Sequence, residues 1–109
     1  MNSTAVKIAK TLVLSDAFQV VHEVYLNRSF TVAAIHLTNI SVAAKKVRLC
    51  FVPPGNVPNA ANAILWDFSV AANGKEEFGQ DILILSGYTV QAMAETASSV
   101  IIYFSGGEE

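Results

Sequence analysis

The sequence holds a single cysteine, Cys50, among its 109 residues. It can therefore form no internal disulfide and no cysteine-based metal cluster. Charge is scarce as well: Lys and Arg number 7, Asp and Glu 9, together 15% of the chain, for a formal charge of −2. That balance supplies no basic stripe to track phosphates, and the one basic triplet, Lys45, Lys46 and Arg48, suits the solvated side of a strand. Nucleic acid is not an expected partner. Long apolar runs are missing too. The longest, residues 60–68 and 100–104, fall well short of the roughly 20 residues of a membrane-spanning helix. Residues 1–10 alternate polar with apolar and lack the apolar run of a signal peptide, so neither a membrane nor export by that route is expected.

Catalytic groups are equally thin. His22 and His36 are the only imidazoles, and Glu23 directly after His22 points to the other side of a strand, so the two make no dyad. His36 falls on the face of Val32 and Ala34 in an apolar segment, which suits a core or interface histidine. His22, His36 and Cys50 lack the spacing of metal ligands, and no Gly-x-Ser-x-Gly elbow or phosphate-binding glycine pattern occurs. Glu76, Glu77, Asp81 and Glu95 show no spacing that selects a glycosidase pair. A small enzyme would need His36, Cys50 and a carboxylate to converge. The expectation is a non-enzymatic chain with no catalytic residues, no cofactor and no metal.

Apolar residues are plentiful, at 52%. A chain of this length closes one core without staples, so residues 1–109 are expected to form a single domain. Short apolar segments recur at 6–14, 19–25, 30–38, 45–52, 64–70, 77–85, 89–95 and 99–105, with turn residues between them. That spacing predicts an all-β antiparallel sandwich of about eight strands, immunoglobulin-like or jelly-roll. Segment 30–38 reads as a well-buried strand, whereas 45–52 alternates, with Val47, Leu49 and Phe51 on one face and Lys46, Arg48 and Cys50 on the other. Asn39 and Ser41 suit a turn, making 30–52 a hairpin; residues 89–105 form a second pair around Thr96, Ala97 and Ser98. Asn73-Gly74 suits a type I′ hairpin. A helical turn competes with strand over 60–66. The tail 106–109 has little to bury and is expected to fray.

All three prolines, Pro53, Pro54 and Pro58, fall in the connection 53–61, which is therefore stiff and unable to join a ladder. Trp66, beside Ile64, Leu65 and Phe68, reads as a core plug or as an interface anchor. With so few charges, part of the outer surface is expected to be covered by other chains. The candidate interface comprises Pro53, Pro54, Val57, Pro58 and Trp66.

The order of motifs from about Val20 to Glu108 resembles a widespread group of small bacteriophage virion proteins encoded among head and tail structural genes. The likeness is carried by Asn39-Ile40-Ser41, by Val47 and Leu49 leading to Val52-Pro53-Pro54-Gly55, by Ala61-Asn62-Ala63-Ile64-Leu65, by Leu85-Ser86-Gly87 before Val90-Gln91-Ala92, and by Ser105-Gly106 and Glu108. This chain departs from the group at Asn27-Arg28-Ser29, where a Pro-x-Gly turn is common, and at Tyr88, where an acid is. The resemblance implies a β-sandwich that decorates or completes a capsid, neck or tail, located in the virion and assembled in the host bacterial cytoplasm. Its implied partners are major capsid, portal, neck or tail proteins and further copies of itself, in threefold or sixfold number. The alternative is a glycan- or receptor-binding module of a phage tail, with Trp66, Tyr25 or Tyr88 as stacking platform. An exposed aromatic flanked by Asn or Asp would favour it.

Overall fold

The alternation in the sequence becomes nine strands in a computed structural model, which describes residues 6–78 and 81–109. They are β1 (Val6–Val13), β2 (Gln19–Glu23), β3 (Phe30–Asn39), β4 (Lys45–Val52), β5 (Ala63–Val70), β6 (Lys75–Phe78), β7 (Ile82–Ile84), β8 (Thr89–Ala94) and β9 (Val100–Glu108). One antiparallel sheet runs β1-β9-β3-β6, with β7 also on β3; the other runs β2-β8-β4-β5. The pairs are nested: β1 with β9, β2 with β8, β3 with β6 and β7, β4 with β5. A long hairpin rolled up on itself has this order, so of the two sandwich topologies expected, the chain adopts the jelly roll.

The expected strand 77–85 is two strands. Both pair with β3, β6 along Ile35–Thr38 and β7 along Phe30–Val32; residues 79 and 80 lie outside the described residues. Over 60–66 both readings hold in turn, a 3-10 turn at Ala60–Asn62 and then β5.

The expected hairpins are corrected. β3 and β4, β5 and β6, and β8 and β9 each divide between the two sheets, so their connections cross the sandwich. Asn39 does bond locally, accepting from Ser41 N at 2.9 Å, but its amide also donates to Val70 O at 3.0 Å and so ties two crossings together. At the Asn73-Gly74 turn only Asn73 is left-handed (φ 53°). A type I′ turn needs both central residues so. Among the described residues, β4 and β5 are the only consecutive strands that pair, and the proline-rich segment is what joins them.

The core lies between the sheets. Phe30, Val32, Ile35 and Leu37 of β3 and Val100, Ile102 and Phe104 of β9 face Val47, Leu49 and Phe51 of β4 and Val90 and Ala92 of β8. Removing side chains of this size from water stabilises the fold by about 1.5 to 3 kcal/mol each. β3 is buried on one face only, the one towards the other sheet, and a bulge between Val32 and Ala34 shifts its register and moves the inward side from Phe30 and Val32 to Ile35 and Leu37. His36 is therefore not on the Val32 face. It stands outside, 5.5 Å from the ring of Tyr103.

The tail does not fray. β9 continues to Glu108, which pairs with Val6 and Phe30, and Glu109 exchanges backbone hydrogen bonds with Ser29 at 3.0 Å each way. Gly106 permits this closure, since a Cβ there would overlap the Thr31 carbonyl and the Phe30 ring. Phe30 in turn stacks on Phe104, with centroids 5.2 Å apart.

Candidate functional site

Three loops meet at one end of the sandwich. In the β4–β5 loop Asn56 N donates to Pro53 O at 3.1 Å while Gly55 has φ 80°, so Pro54 and Gly55 occupy the central positions of a type II turn. Proline presets the first position and glycine allows the second. Further along, Asn59 caps the 3-10 turn, and the amides of Asn59 and Asn62 both donate to the Val57 carbonyl, at 3.1 and 3.0 Å. The Val57 side chain is left 69% exposed. Gly87 of the β7–β8 loop approaches so closely that a Cβ would lie 2.8 Å from Pro54 Cγ, and its N–H donates to Val24 O at 2.9 Å.

The result is a cleft of about 590 Å³ whose lining includes Tyr25, Leu26, Pro53, Pro54 and Gly87. Tyr25 is 66% exposed and Leu26 76%. Of the five candidate interface residues, the structure places Pro53 and Pro54 in this cleft. Val57 and Pro58 belong to the same loop without lining it. Leu26 carried no signal in the sequence beyond being one more apolar residue, and only the convergence of loops marks it.

Trp66 belongs to a separate cluster. Trp66 and Asp67 together oppose Arg48, because Leu65 pairs with Leu49 and Phe68 with Val47. This bulge, with Asp67 left-handed at φ 55°, turns the indole outward, 38% exposed, and overturns the core-plug reading. The Arg48 guanidinium lies 3.9 Å from the indole centroid and donates from Nε to Asp67 Oδ1 at 2.7 Å. The hydrogen bond raises the pKa of Arg48 and holds the Asp67 carboxyl below the usual carboxylate value. Arg48 and Asp67 line a groove of about 300 Å³ with Lys46, Met93 and Glu95.

Cys50 is buried behind the proline loop, its thiol 3.5 Å from Asn59 O, and burial pushes its pKa up. A group held as a thiol is a poor nucleophile. His36 is on the outer face of the other sheet, so the convergence that an enzyme reading required does not occur.

The one buried ionisable pair among the described residues was not visible in the sequence. His22 Nε2 lies 3.0 Å from Glu108 Oε1, and Lys10 Nζ lies 3.0 Å from His22 Nδ1. β2 has a bulge between Val20 and His22 that sends His22 inward, onto the ring of Phe30 at 4.7 Å. Glu23 points outward, as the alternation predicts.

No protein-family model matches the sequence, and no curated protein gives a significant match. Among solved structures, the fold is similar to a chain of the Bacillus endospore appendages, which form a family of disulfide-linked pili. The TM-score is 0.59 at 13% sequence identity, with 96% of this chain and 84% of that chain covered. The likeness establishes a shared fold.

Proposed function

We propose that this chain is a non-enzymatic structural protein that works through oligomeric protein–protein contacts made at its loop end. The observation that carries the reading is the cleft itself. Exposed Tyr25 and Leu26 share its lining with a proline turn whose shape is set before any partner arrives. A preformed loop loses little entropy on docking, and an aromatic anchor beside apolar neighbours is the usual centre of an interface. The fold shared with a pilus-forming chain supports a role in assembly. Cys50 is buried, so the contacts of this reading do not call on an intermolecular disulfide.

The finer setting, a bacteriophage capsid, neck or tail assembled in the bacterial cytoplasm, is supported by the motif resemblance running from Val20 to Glu108. Light-scattering mass of the purified protein, followed by mixing with particles that lack it, tests the proposal. A trimer or hexamer that rebinds particles is expected; a monomer that ignores them would overturn it.

A second reading, a glycan- or receptor-binding module, is favoured by one observation: Trp66 is exposed and adjoins Asp67. Against it, the Arg48 guanidinium already covers a face of the indole. Glycan binding lost in Trp66→Ala, with particle binding absent in the parent chain, would select this reading.

A further inference from the structure

A lysine ammonium has three donors and no acceptor. Lys10 Nζ, 3.0 Å from His22 Nδ1, must therefore donate to that nitrogen, which carries a lone pair. The ring proton then sits on Nε2 and is donated to Glu108 Oε1 at 3.0 Å. In this arrangement the imidazole is neutral and links an ammonium to a carboxylate. The three residues come from three strands: Lys10 from β1, at the edge of one sheet, His22 from β2, at the edge of the other, and Glu108 from β9. With Ile8, Val20 and Glu23 they line a cleft of about 410 Å³ between those two edges.

A proton added to Nδ1 acts on the two links in opposite senses. Towards Glu108 the imidazolium meets a carboxylate, and the hydrogen bond becomes charge-assisted. Towards Lys10 a donor meets a donor, and two positive charges stand 3.0 Å apart. Lys10 occupies an exposed position of β1 and gives way into water, whereas His22 and Glu108 are buried and remain together. The other groups against the imidazole are the uncharged rings of Phe30 and Phe104, with centroids 4.7 and 6.0 Å away. Glu23 and Tyr25 complete the ionisable groups of the cleft.

We propose that Lys10, His22 and Glu108 form a proton-operated clamp between the edges of the two sheets, closed while His22 is neutral and released at Lys10 when His22 is protonated. It makes the β1–β2 side of the sandwich the acid-responsive one and leaves the core unchanged.

Imidazole nitrogen shifts of the wild-type protein at pH 8 report the tautomer directly. A proton on Nε2 with Nδ1 bare is expected, and the opposite tautomer would end the proposal. From about pH 8 to 5, the range in which imidazole side chains titrate, hydrogen-exchange protection of β1, corrected for intrinsic rates, should fall several-fold as the His22 signals move. In Lys10→Met, β1 should start at the lower protection and stay level over that range. Three results overturn the clamp: β1 protection that holds while His22 takes up its proton, the same fall persisting in Lys10→Met, or an imidazole still neutral at pH 5.

Discussion

His22 Nε2 and Glu108 Oε1 meet at 3.0 Å inside the sandwich, joining positions 86 residues apart. The contact pins the last strand to the second, so the final residues belong to the core and not to a loose tail.

Glu108→Ala should therefore destabilise the protein by about 1 to 3 kcal/mol, the cost of leaving the buried N–H of a neutral imidazole without its acceptor. Urea unfolding would show a lower midpoint at unchanged slope. A loss under about 1 kcal/mol, typical of an exposed pair, would show that the contact is not held in the interior.

Gly106→Ala should lower stability by about 1 to 3 kcal/mol, the range for forcing extra volume into a packed core. The new methyl would overlap the Phe30 ring and the Thr31 carbonyl. Phe30→Leu in the same chain should recover part of the loss, because it withdraws one of the two obstacles. Strict additivity of the two substitutions in thermal melts would argue against the contact.

Trp66→Ala should cost only about 1 kcal/mol, the scale of an exposed cation–π contact, since the indole lies on the outer face under Arg48. A loss of about 3 to 5 kcal/mol would instead be that of a buried aromatic. Denaturant titration of the two chains separates the outcomes.

The Arg48–Asp67 pair sets an acid dependence whose sign is fixed. The Asp67 pKa is lowered in the folded protein by the Arg48 hydrogen bond. Its contribution to stability is then fully present above the unfolded Asp value of about 3.9 and is lost as pH falls through the lower folded value. Carboxyl-carbon NMR should show Asp67 titrating below an ordinary aspartate, and Arg48→Gln should move it upward. No movement would mean that the pair does not persist in solution.

Replacing Pro53, Pro54 and Pro58 with Gly or Ser should leave the subunit folded while weakening its assembly. The loop contributes shape to the cleft, but its three prolines lie outside the buried core. Circular dichroism and light-scattering mass measured on the same sample check the two halves. Undiminished oligomer mass would remove the loop from the interface.

The sequence by itself determined where strands run and where the chain turns. Alternation with period two is a local property, and it placed Val47, Leu49 and Phe51 together on the core face of β4. Asn39, Ser41 and the proline cluster marked turns by their own side-chain chemistry. Only the tertiary structure decided which strand lies beside which. Each expected hairpin joined neighbours in sequence, yet a jelly roll pairs β1 with β9 and β2 with β8, and such contacts leave no local trace. The bulges at Ala33, Val21 and Trp66–Asp67 decided which face His36, His22 and Trp66 occupy, since one extra residue reverses every side chain after it. Glu108 shows the limit most clearly. A charged residue after two glycines has nothing apolar to bury, and it becomes interior only because His22, from the opposite sheet, supplies the hydrogen bond that its carboxylate requires.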